Sequence, residues 1–246
     1  MMHSGLENKV AVITGASRGI GFRIAEKLLQ NGACVVLCAR QESGVRQAIE
    51  TLHAIAPSRV EGVVADVRVY SQVERLMALA EVKFGGIDNL VNNAGIGLFR
   101  PVDEITPEEW DAVIETNLTG CFYCVRAAVP RMKRRGGGYI FNISSLAGKN
   151  ALAGGAAYNA SKFGLNGFSE AIMLDLRYDN IRVSTIMPGS VETHFGHPSP
   201  ETGHSSPASW KLDATDVAQV VLDLLRSDPR AMVSRVEMRP SKPPRK

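Results

Sequence analysis

The sequence predicts an α/β fold, a doubly wound parallel β-sheet of about seven strands with helices on both faces. Three observations predict it. Short apolar, β-branched runs alternate with amphipathic helical patterns along the 246-residue chain, and such alternation builds parallel strands joined by helical crossovers. The strand runs are apolar at consecutive positions, as strands covered on both sides are. A cluster of glycines lies between the first run and the first helical pattern, where open α/β sheets bind their ligands.

The elements follow in order. Residues 9–14 form the first strand. Residues 19–31 read as a helix, with Ile20, Ile24, Leu28 and Leu29 on one face and Asn31-Gly32 ending it. Residues 33–39 are a second strand, 41–56 a helix stopped before Pro57, and 59–65 a third strand. Residues 71–84 are helical, with Ser71 as the expected cap and Gly85-Gly86 as the stop. Residues 88–92 are the fourth strand. A long helix is expected from Pro107, a residue suited to a first helical position, to about residue 135, where three glycines break it. Residues 139–144 are strand five, 157–179 a helix, 181–187 strand six, 213–226 a helix and 232–238 a last strand. No linker or composition shift interrupts the series, so residues 1–246 read as a single domain. Residues 191–210 stand apart: they hold Gly196, Pro198, Pro200, Gly203 and Pro207 and no core-facing period, and a long loop of this kind is usually functional.

Composition excludes several classes. A hydrophobic fraction of 45% and a charged fraction of 22% are those of a globular protein. No apolar run approaches the roughly 18 residues of a membrane helix. The first nine residues are polar and lack a signal-peptide core, which makes the cytoplasm the expected location. Residues 227–246 carry six basic and two acidic side chains, leaving the rest of the chain near −1 within a net +3. That is a basic tail, chiefly residues 239–246, and a nucleic-acid binder would present a basic face instead. The cysteines, Cys34, Cys38, Cys121 and Cys124, fall in apolar runs and read as packing residues. Cys121 and Cys124 form one C-x-x-C without the second pair a zinc site needs. His194, His197 and His204 in the long loop have neither metal-ligand spacing nor an acidic partner set, so no metal is expected.

The glycine turn runs TGASRGIG over residues 14–21. Free N–H groups and the helix dipole favour an anion there, and glycines permit close backbone approach, so a dinucleotide pyrophosphate is the expected ligand and the fold is Rossmann-like. Strand two ends at Arg40 with no acid at its tip; Glu42, two residues on, is the competing candidate. Arg18 adds a second guanidinium inside the turn. Two arginines suit the 2′-phosphate of NADP(H) rather than the bare ribose of NAD.

Tyr158 and Lys162 are four apart in a helical pattern and so share a face. A phenol is a poor acid–base group at neutral pH, and a nearby ammonium is expected to lower its pKa. Ser145 lies thirteen residues before Tyr158, after strand five. Asn92-Asn93-Ala94-Gly95 follows strand four, Asn117 lies in the next helix, and Pro188-Gly189 leads to Val191 and Thr193 after strand six.

On these motifs, in this order and spacing, residues 6–238 closely resemble the short-chain dehydrogenase/reductase (SDR) family. The resemblance implies roles. Tyr158 would be the general acid that protonates a carbonyl oxygen as hydride arrives, or the base in reverse. Lys162 would lower the Tyr158 pKa and bind the nicotinamide ribose. Ser145 would hold the substrate oxygen, and Asn117 a water relaying protons to Lys162. Gly15, Ser17, Arg18, Gly19, Ile20, Gly21 and Arg40 would hold the phosphates. Asp66 and Val67 would meet the adenine, and Asn93, Ala94 and Gly95 would line the cofactor. Val191 and Thr193 would meet the carboxamide, and Pro188 and Gly189 would also belong to the cofactor site. Residues 191–210 would be a substrate lid, with Phe99, Phe195 and Trp210 as candidate pocket walls.

The implied activity is NADPH-dependent reduction of a ketone or aldehyde, by a homodimer or homotetramer pairing through its two long helices, with Cys121 and Cys124 candidates for that interface. The Gly-Gly that follows the last strand in many tetrameric members is absent. Alternatives are a 3-oxoacyl carrier-protein reductase, for which Arg131, Lys133, Arg134 and Arg135 would dock an acidic carrier, and an NAD-dependent sugar or polyol dehydrogenase. A catalytically silent NADP-sensing protein is a third. No nucleic acid or membrane partner is expected.

Overall fold

The computed structural model describes residues 5–193, 195 and 210–244. Seven parallel strands form one sheet in the order β3-β2-β1-β4-β5-β6-β7. The strands are β1 Val10–Thr14, β2 Cys34–Ala39, β3 Val60–Val64, β4 Asn89–Asn92, β5 Gly138–Ile143, β6 Ile181–Pro188 and β7 Arg235–Met238. The helices are α1 Gly19–Gln30, α2 Glu42–His53, α3 Tyr70–Phe84, α4 Pro107–Ile114, α5 Gly120–Arg134, α6 Ala156–Leu176 and α7 Ala214–Arg226.

Each inner strand is apolar on both sides because each side has its own core. Ala11 and Ile13 of β1, Val35 and Leu37 of β2 and Phe141 of β5 face the side covered by α1, α2 and α7. Val10, Val12, Val36 and Ile140 face α3, α5 and α6. This is why the strands show no polar alternation in sequence. None of the described helices is long and apolar enough to cross a membrane.

The chain winds outward from β1 to β3, then crosses back to place β4 on the other side of β1. The connections after β1 and β4 therefore leave in opposite directions, and a crevice opens at the strand ends between them. Every strand-end motif named above lies along that edge.

Five expectations are corrected. The helix over residues 107–135 is two helices joined by a π turn, Glu115–Thr119, because Asn117 in that turn is bound to the main chain of Ile96. Ser71 is not a cap: α3 starts at Tyr70, behind Val69, and the next residue, Gln72, reaches back to accept the Asp66 N–H at 2.9 Å. The last strand starts at Arg235, not at 232, and the helix over residues 157–179 closes as a 3-10 turn, Arg177–Asp179, before Asn180 at φ 57°. Cys121 and Cys124 are buried, Cys124 in the core beneath the sheet, so neither lies on an outer helix face. Asp213 caps α7 through a capping box with Asp216.

Candidate active site

The glycine turn is shaped by contacts with the end of β4. The Thr14 hydroxyl accepts the N–H groups of Asn93 (3.1 Å) and Ala94 (3.0 Å). The Asn93 amide donates to the carbonyls of Thr14 and Gly15, both at 2.9 Å. Gly15 has φ +63°, and a Cβ on it would stand 2.7 Å from the Ala94 Cα; one on Gly21 would stand 2.4 Å from the Asn93 amide nitrogen. Side chains at these two positions would collide with the segment after β4, against which the glycines let the turn pack. Arg18 precedes α1 with no side-chain cap bond, and the first turn holds no acid, so the free N–H groups and dipole of a twelve-residue helix face the crevice. The turn thus fits a dinucleotide pyrophosphate.

The surroundings of the ribose end of such a ligand are cationic. Arg18 and Arg40 are both exposed, and Glu42 is paired with Arg46 at 3.0 Å along its own helix. Asp66 accepts from the main chain and guanidinium of Arg68, with contacts of 2.7–3.1 Å. Arg68, with a smaller contribution from Arg40, holds its carboxyl below the usual range against the opposing effect of burial. Thr193 lies against Gly19, 3.5 Å from where that residue's Cβ would stand. Val191 bridges to Leu212, and the Gly189 N–H donates to Met238, so the segment after β6 is pinned at the crevice.

At the other end of the crevice, α6 presents Tyr158 and Lys162 one turn apart. Both are buried, at 7% and 4% exposure. The Lys162 ammonium donates to the Ile143 carbonyl at the end of β5 (2.9 Å) and stands 5.8 Å from the centre of the Tyr158 ring. Burial lowers the Lys162 pKa to about 8. Burial raises that of Tyr158, while a hydrogen bond with the Ser145 hydroxyl pulls the other way. Desolvation is the larger of the two effects, so the phenol lies above its ordinary range, and the ammonium's own hydrogen bond goes to the Ile143 carbonyl. Ser145, not Ser144, is beside the phenol; the Ser144 hydroxyl donates inward to Asn166 at 2.6 Å.

Asn117 is 2% exposed. Its side chain spans the Ile96 N–H (2.8 Å) and carbonyl (2.9 Å) and donates to Ser161 (3.0 Å), which in turn donates to the Tyr158 carbonyl (2.8 Å). It links the loop after β4 to the helix that carries the phenol. Its amide is committed to protein partners, so a relay water would have to use another atom of this turn.

Sequence reasoning missed the residues that hold the Ser145 segment. Asn159 donates to the carbonyls of Ala147 (2.5 Å) and Asn150 (2.9 Å) and accepts the Leu152 N–H (3.0 Å). Asn166 donates to Gly148 (2.9 Å). A signal existed for Asn166, which continues the four-residue stripe from Tyr158 and Lys162; Thr14 gave none.

Arg131 pairs with Glu74 and Glu81, Lys133 with Asp179, Arg134 with Glu81 and Arg135 with Asp88. The basic cluster expected to dock an acidic carrier is thus spent on ion pairs within the chain. His194, His197, His204 and most of the expected lid lie outside the described residues. Among the described residues no group of three ligating side chains could hold a metal.

An open parallel sheet, a glycine turn after its first strand and a Tyr–Lys pair beside a serine thus share one edge of the fold. The profile of the short chain dehydrogenase family matches residues 9–203, and the chain belongs to that family. It is similar to the 3alpha-hydroxysteroid dehydrogenase of Mediterraneibacter gnavus, 38% identical over 80% of this chain and 79% of that protein. It is also similar to human dehydrogenase/reductase SDR family member 4, 39% identical over 77% of this chain and 68% of that one. A crystal structure of a metagenomic short-chain oxidoreductase in complex with NADP superposes with a TM-score of 0.83 at 37% identity, covering 97% of this chain and all of that one. The alcohol dehydrogenase of Thermococcus sibiricus, complexed with 5-hydroxy-NADP, gives 0.86 at 29% identity, covering 97% and 99%.

Proposed function

We propose that the protein is an NADPH-dependent reductase of ketones or aldehydes, reversible to alcohol oxidation, with Tyr158 as the general acid. The observation that carries this reading is the placement of Tyr158 and Lys162 on one face of α6, with Ser145 at the phenol, at the mouth of the crevice between β1 and β4. NADPH, when bound, supplies a hydride equivalent. The chain's own residues do the rest. The Ser145 hydroxyl holds the carbonyl oxygen. Tyr158, a phenol and so protonated at neutral pH, gives its proton to that oxygen, so that one hydride and one proton convert C=O to CH–OH. The phenolate left behind stands one helical turn from the Lys162 ammonium and is reprotonated from solvent. Asn117 keeps the Ile96 loop and α6 in register.

Three features support NADPH over NADH: strand two ends in Arg40 without an acid, Arg18 stands in the glycine turn, and Glu42 is held by Arg46. The two similar structures carry NADP and an NADP derivative. We also infer that copies pair through α5 and α6, where Phe122, Phe163 and Leu174 are exposed beside the partly buried Phe168.

The decisive experiment is Tyr158→Phe. Carbonyl reduction should fall by about 10²–10⁴, while NADPH affinity, read by fluorescence titration, stays within a few-fold. Near-normal turnover by the variant would overturn the mechanism.

A further inference from the structure

We infer that the catalytic phenol opens into an aromatic pocket that selects neutral, bulky apolar ketones, aryl or alicyclic, over small polar or anionic carbonyls; the inference rests on the reductase reading above. Two rings from separate parts of the chain converge on Tyr158. Phe99, on the loop after β4, meets it edge-on at 5.5 Å and 60°. Phe195, on the segment after β6, is tilted against it at 5.6 Å and 53°. Gly97 makes room for both: a Cβ there would stand 2.6 Å from Phe195 and 3.1 Å from Phe99.

These rings are not core residues. Phe99 is 47% exposed and Phe195 42%. Apolar groups left half in water around a reacting hydroxyl gain by covering apolar substrate surface. Among the described residues, the nearest charges in sequence are already paired. Arg100 is paired with Glu109 at 3.1 Å, and Glu192, itself acidic, with Lys211 at 3.1 Å. A carboxylate or phosphate placed against the two phenyl rings would give up its hydration without an unpaired counter-charge from the described residues of either segment.

The test compares acetophenone, hydroxyacetone and pyruvate as probes in NADPH-dependent reduction. The wild type should prefer acetophenone in kcat/KM by at least tenfold over each of the others. Phe99→Ala and Phe195→Ala should each lower that preference by about tenfold, and the milder Phe99→Leu and Phe195→Leu by less. NADPH titration reports whether each variant is folded. Calorimetric binding of acetophenone to the NADPH complex of Tyr158→Phe separates the two readings. Binding that weakens in the added Phe99→Ala or Phe195→Ala background supports the pocket even if no carbonyl is turned over, an outcome that removes the reductase reading alone. Wild-type preference for hydroxyacetone or pyruvate, or acetophenone binding indifferent to both substitutions, overturns the pocket.

Discussion

Lys162 shows how a single residue's surroundings set its chemistry. Its ammonium is enclosed, has one carbonyl partner and titrates near pH 8 because desolvation disfavours the charge. The unfolded chain, where the side chain keeps its ordinary value of 10.5, binds more protons between pH 8 and 10.5, so Lys162 adds stability as pH rises through that window and burdens the fold below it. The stability difference between wild type and Lys162→Met should move in favour of wild type by on the order of 1–3 kcal/mol from pH 7 to 10.5, read by denaturant unfolding. At the cofactor end, Arg40→Asp should lower kcat/KM for NADPH by about tenfold or more and leave NADH little affected in parallel assays; equal losses would favour the NAD-dependent alternative. Tyr158, Lys162 and Ser145 could be named from sequence because their spacing carries the chemistry. The direction of the phenol's shift could not, because it depends on enclosure that no spacing reports.

Among elements, the junction of β1, β4 and α5 is held by one carboxylate. Asp88, 8% exposed at its side chain, accepts from the Val10 N–H (2.9 Å), Lys9 (3.1 Å) and Arg135 (2.8 Å). Burial pushes its pKa up, but these three donors together hold it below the usual range. Asp88→Ala should destabilise the protein by roughly 1–3 kcal/mol at pH 7, since Lys9 and Arg135 can still reach water but the Val10 amide cannot. The gap should close as pH falls through the folded carboxyl's value, where wild type loses the same bonds. The order of elements was legible from apolar periodicity and glycine stops. The π turn was not: residues 115–119 continue the helical pattern, and the reason to break it is a tertiary bond from Asn117 to Ile96, twenty-one residues away. Ser71 misled for a local reason, since a helix may begin one residue earlier when nothing requires a cap.

For the whole molecule, the two-sided core and the alternating strands determined the architecture before any coordinate, whereas pairing between copies rests on surface shape. Phe122 of α5 and Phe163 and Leu174 of α6 are large apolar side chains in water. We expect light scattering to give a dimer or tetramer and Phe163→Glu to shift the mass toward the monomer; a monomeric wild type would refute the pairing. The adjacency of β1 and β4 has one more consequence. Thr14 and Asn93 meet across 79 positions of chain, after two outer strands and their helices have been laid down. The glycine turn therefore takes its shape only after β1 and β4 have paired, a non-local step for a refolding chain, so recovery of nucleotide affinity should lag formation of the first strand–helix unit.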